Sequence, residues 1–115
     1  MKNSHETMMK PSQNEQLAAG IAMLQKRFRE SAEDRILRLE AAAILLRENM
    51  VHPEALGVIR RDCHKLAGIA PSLGFAIIGE LATRIDELFI LNRGEWALIE
   101  APLEALLDAL EEISE

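Results

Sequence analysis

Apolar residues recur at spacings of three and four through almost the whole chain, and that recurrence constrains the fold more than any other feature. Between residues 53 and 70 it runs Leu56, Ile59, Cys63, Leu66 and Ala70. On a helix these positions form one buried stripe. The same spacing returns in Leu17, Ile21, Leu24 and Phe28, then in Ala32, Ile36, Leu39, Ala43, Leu46 and Met50. Further along come Ile78, Leu81, Ile85 and Leu88, flanked by Ile77, Ala82 and Phe89, and finally Trp96, Ile99, Leu103, Leu106, Leu110 and Ile113. Strands would need period-two alternation rich in β-branched and aromatic residues, and aromatics make up only 3% of this chain. The expected fold class is all-α, an antiparallel up-and-down four-helix bundle with an additional N-terminal helix.

The breaks between these segments set the boundaries. Residues 1–14 are polar, carry Pro11 and show no sustained apolar period, so they read as a flexible N-terminal arm in which His5 is a solvated tail residue. Residues 15–115 then form the helical domain. Ser31 followed by Asp34 has the form of an N-cap with an acid in the first turn. It places a break there, although one long helix to about Glu48 fits the same period. Pro53 suits the first position of the next helix, which leaves His52 in the preceding turn, with no partner at metal-ligand spacing. Pro71 ends that helix, Gly74 supplies a flexible step, and Asn92-Arg93-Gly94 is the stop signal of the following one. Pro102 divides the last segment into a short lead-in and a main helix from near Ala101.

A chain of 115 residues forms one domain and can bury a core without disulfides. Its one cysteine cannot make an internal bridge. With no secretory signal and no apolar run of about 20 residues, the expectation is a soluble cytoplasmic protein without membrane insertion. The formal charge of −6 is unevenly spread: residues 1–59 net zero, residues 60–75 net +2, and residues 76–115 net −8. A basic island in a neutral-to-acidic chain does not offer the broad positive surface that nucleic acid needs. It suits a local docking site for an acidic pocket.

That island surrounds His64, which falls just outside the apolar stripe of its helix. Gly57, Arg60, Arg61 and Gly68 share the histidine's own face, at helical spacings of three, four and seven. A glycine inside a helix costs about 1 kcal/mol relative to alanine. At Gly68 it lets another molecule approach the ring closely. The arginines supply positive charge suited to a phosphoryl group. Cys63 and His64 point about 100° apart and cannot readily clasp one metal ion. Cys63 itself reads as a small core residue rather than a nucleophile. No Gly-rich loop with a phosphate-binding lysine supports kinase activity.

The run His64-Lys65-Leu66-Ala67-Gly68, followed by Leu73-Gly74-Phe75, resembles the histidine phosphotransfer (HPt) domain family, whose pattern is His-x-Leu-Lys-Gly and then Leu-Gly. His64, Leu66, Gly68, Ala70, Leu73 and Gly74 fall where the family has them. The family's lysine is replaced by Ala67 and the small polar residue after the glycine by Ile69. The resemblance implies a free-standing phosphoryl carrier, not itself an enzyme, with no cofactor or metal of its own. His64 would take a phosphoryl group from an aspartate of a response-regulator receiver domain through its distal ring nitrogen and pass it to another, the magnesium ion coming from the receiver. The implied partners are receiver domains and a hybrid histidine kinase, with the carrier monomeric. Arg60, Arg61, Lys65 and Gly68 are the candidate phosphoryl- or partner-binding residues, with Arg61 or Lys65 the preferred substitute for the missing lysine. Because that lysine is absent, a second reading stays open: a non-phosphorylated helical adaptor that binds and regulates receiver or kinase domains through the same face. A purely structural bundle is a third.

Overall fold

A computed structural model describes residues 12–114. Four helices follow one another: α1 (Gln13–Glu48), α2 (Pro53–Ile69), α3 (Ala76–Ile90) and α4 (Trp96–Ile113), with a 3-10 turn at Pro71–Leu73 between α2 and α3. α1 packs against α2 and α4, and α3 closes the ring against the same two neighbours. The result is the all-α bundle expected from the periodicity, because each amphipathic stripe finds a facing stripe. Leu39 and Leu46 of α1, Ile59 and Leu66 of α2, Ile85 of α3, and Ile99, Leu106 and Leu110 of α4 are completely buried at its centre.

The break expected at Ser31 is absent, so the additional N-terminal helix is the first part of α1. The reason lies in the phase of the buried positions. Phe28, Ala32, Ile36, Leu39, Ala43 and Leu46 keep one face through the serine, and a turn would have reset it. Ser31 does not cap. Its hydroxyl donates back to the Phe28 carbonyl at 2.8 Å, the alternative open to a serine in mid-helix. The true cap is Ser12, whose hydroxyl accepts from the Glu15 amide while the Glu15 carboxylate accepts from the Ser12 amide. Gln13 and Asn14 therefore belong to the helix, Ser12 is its cap, and residues 1–11 of the expected arm, His5 included, lie outside the described residues.

Pro102 likewise fails to divide α4, which runs unbroken from Trp96. Proline removes the hydrogen bond to the carbonyl four residues earlier, that of Leu98, a residue at the exposed surface. Ile99, Leu103, Leu106 and Leu110 hold the helix in phase across it by burial. On α3, Ile77 stands 66% exposed instead of flanking the core, and the inner stripe is Ile78, Gly79, Ala82 and Ile85. Met50 is exposed rather than part of the stripe of α1.

The turns are built as their residues dictate. After Pro71, Gly74 adopts φ +88°, and the Phe75 amide donates to the Ala70 carbonyl at 2.9 Å. Gln25 of α1 donates its side-chain amide to the Leu73 carbonyl at 2.7 Å, and the Phe28 and Phe75 rings stack at 4.8 Å. Gly79 is required by close approach: a Cβ there would lie 2.5 Å from the Pro71 ring. At the far end of α3, Asn92 at φ 60° receives the helix, with the Arg93 amide bonded to the Leu88 carbonyl and the Asn92 amide to that of Phe89.

Candidate functional site

The helix that carries His64 is fixed on both sides. At its start His52 is the N-cap, its Nδ1 accepting from the Ala55 amide at 3.2 Å. Midway, Asp62 points back to α1, where its Oδ2 lies 3.2 Å from Nε of Arg38. The Asp62 side chain is buried and the Arg38 side chain half exposed, so the pair pins α2 to α1 at the turn before the histidine. Burial also depresses the pKa of nearby Arg35, an effect that Asp62 opposes. Cys63 faces the core with no exposure, and burial first, then the charges of Asp62 and Asp86, push its thiol up to about 12. A thiol so placed is a packing residue, inert as a nucleophile at neutral pH. No group of three or more His, Cys, Asp or Glu side chains able to hold a metal ion occurs among the described residues.

With Asp62 and Cys63 turned inward, His64 is turned out. Its side chain is 75% exposed. Its Nδ1 lies 3.3 Å from both carboxylate oxygens of Asp86, which reaches across from α3 and is itself only 15% exposed. A carboxylate accepts, so Nδ1 carries the proton, and Nε2 is left with the free lone pair. The arrangement thus leaves Nε2 unengaged and holds a carboxylate beside the other nitrogen.

Around the ring lies an open groove lined by Gly57, Arg60, Arg61 and Lys65 of α2 and by Asp86 and Ile90 of α3. The sequence-derived cations therefore share one surface with His64. Arg61 lies back along the helix, with Nη1 3.3 Å from where a Gly57 Cβ would stand, so Gly57 gives room to this guanidinium. Gly68, one turn beyond the histidine, is exposed, and no atom lies within 4 Å of its missing Cβ. Ala67 is half-buried and brings no charge.

Asp86 was not among the sequence-derived site residues. Its only local signal is an acid one residue after the buried Ile85, on the flank of an apolar stripe. Which helix that flank would face is not written in the spacing.

The model of the Hpt domain matches residues 23–115, most of the chain. The chain belongs to the Hpt domain family. No curated protein and no solved structure matches it. Hpt domains are phosphoryl carriers rather than kinases, acting in two-component signalling with receiver and kinase domains. The helical bundle is consistent with the Hpt fold. No described helix of this Hpt domain is long and apolar enough to cross a membrane.

Proposed function

We propose that His64 is the phosphoryl-accepting residue of this Hpt domain and relays the group between aspartates of response-regulator receiver domains. One observation carries the reading. His64 is an exposed histidine held on α2, and the half-buried Asp86 carboxylate occupies its Nδ1, leaving Nε2 free. Nε2 attacks the phosphorus of a receiver's aspartyl phosphate, a P–N bond forms, and the P–O bond to the aspartate breaks with its electron pair leaving on the carboxylate. The imidazole retains the Nδ1 proton, and Asp86 offsets the positive charge that the ring acquires. Transfer onward to a second aspartate is the same step reversed.

Arg60, Arg61 and Lys65 provide the positive side of the groove, and Arg61 or Lys65 stands in for the family lysine absent at Ala67. Open Gly68 and apolar Ile90 form the surface against which the receiver presses. Phosphoryl transfer from a panel of phosphorylated receivers to the wild type and to His64→Gln tests the reading. A label that is stable in base, labile in acid and absent from the variant supports it.

Ala67 favours a second reading, an adaptor that docks receiver or kinase domains without being phosphorylated. Receiver binding without label from any competent donor would select it.

A further inference from the structure

Asp62 is the one charged residue buried among the described residues. Burying a carboxylate sacrifices its hydration, and a buried ion pair recovers that loss and little more. The pair with Arg38 therefore adds little to stability, and what it supplies is direction. Oδ2 of Asp62 lies 3.2 Å from Nε of Arg38, and its charge also acts on half-buried Arg35, one turn earlier on α1 and placed over the Phe28 ring. Residues two apart on a helix point about 200° apart, so Asp62 and His64 leave α2 on opposite flanks. One reaches α1 and the other α3, the two neighbours of α2. Between these flanks the stripe of Ala55, Ile59, Cys63 and Leu66 is apolar, and apolar attraction is non-directional, so it does not by itself fix how far a helix is turned. A turn of about 10° carries a side chain about 6 Å from the helix axis through about 1 Å. The His64–Asp86 distance of 3.3 Å already stands at the long end of a hydrogen bond, so a displacement of that size away from Asp86 breaks it.

We propose that Asp62 is a positioning residue for His64. Held to Arg38 on one flank of α2, it sets the rotation at which Nδ1 meets Asp86 on the other flank, and thereby which ring nitrogen stays free. Asp62 does not line the groove around the histidine, and neither does any residue of α1. On the reading of His64 as the phosphoryl acceptor, α1 thus governs the attacking nitrogen from outside the groove, through the turn it imposes on α2. The two carboxylates divide the work: Asp86 fixes the proton on the ring, and Asp62 brings the ring to Asp86.

Nitrogen NMR of the histidine rings in the full, unphosphorylated chain tests the proposal, in mildly alkaline buffer so that the rings are neutral and with His64→Gln to identify the His64 signals. The wild type should be predominantly the Nδ1–H form. Asp62→Ala, which favours helix and leaves half-exposed Arg38 to water, should give a mixture in which the Nε2–H form has risen several-fold. Asp62→Leu, an apolar residue in the same place, should do the same. Asp62→Asn, whose side-chain oxygen still accepts from Arg38, should stay close to the wild type. Ile59→Val loosens the core on neither flank, so it should lower the melting temperature and leave the tautomer unchanged. At saturating phosphorylated receiver Asp62→Ala should transfer several-fold more slowly, with receiver affinity unchanged. Folded alanine or leucine variants that keep the wild-type tautomer overturn the proposal. So do a wild type without a dominant Nδ1–H form, an equal shift in Ile59→Val, and wild-type transfer rates from a mixed tautomer. Failure of the wild type to take label from any receiver strikes at the carrier reading alone, because the tautomer is read with no receiver present.

Discussion

His64 Nδ1 sits 3.3 Å from each oxygen of the Asp86 carboxylate, two residues 22 positions apart on different helices. The pair gives the imidazole a fixed orientation and a fixed proton, and most of what the site can do follows from it. In the proposed transfer Asp86 acts through the ring, as a positioning residue.

Replacing Asp86 with alanine should therefore slow phosphoryl transfer to His64 by about tenfold, the equivalent of roughly 1.4 kcal/mol in barrier. The melting temperature should change little, because the pair is largely solvent-screened on the histidine side. Stopped-flow transfer kinetics beside thermal melts will separate the two effects. Unchanged kinetics would remove Asp86 from the site.

Two glycines should respond in opposite senses. Gly68 has open space at its Cβ position, so Gly68→Gln should stabilise the helix by up to about 1 kcal/mol while blocking receiver docking. Gly79→Ala drives a methyl group into the Pro71 ring and should cost about 1–3 kcal/mol. Denaturant melts of both variants, with receiver binding measured for the first, check the pair of signs. Full transfer by Gly68→Gln would show that no partner approaches there.

Cys63 should resist thiol reagents in the native protein and react at once in denaturant. Its thiol is pushed up to about 12 in the fold, against an ordinary value of 9.0. The unfolded chain therefore loses this proton first as pH rises. The thiol's share of stability is complete below about pH 9 and is lost progressively between pH 9 and 12. Comparing alkaline melts of the wild type and Cys63→Ala should show a shallower decline in the variant.

Neutralising Arg60, Arg61 and Lys65 together should weaken receiver association and transfer several-fold, with the largest effect at low salt. Titrating receiver affinity against ionic strength measures it. If transfer and affinity are both unaffected, these cations serve only to keep the surface soluble. If the triple substitution does slow transfer, the single substitutions report which of the three carries the effect.

Much of this was legible in the chain alone, and the reason is local. Residues three and four apart on a helix are neighbours whatever the rest of the protein does, so the stripes, the inward turn of Cys63, the outward turn of His64 and the shared face of Gly57, Arg60 and Arg61 follow from spacing. Pro53, Pro71, Gly74 and Asn92 punctuate the chain through their own backbone preferences. The punctuation at Ser31 and Pro102 misled for a physical reason. A serine that can cap can also bond backward within a helix, and one lost hydrogen bond at a proline is small beside the burial that α4 gains by staying in phase. Relations between helices were decided only by tertiary packing: which acid meets the imidazole, why Gly79 has no side chain, and where α1 outruns its neighbours, leaving Leu17 and Leu24 exposed. Periodicity says that a helix has an apolar face, and only the lengths and offsets of the packed helices determine what, if anything, lies opposite it.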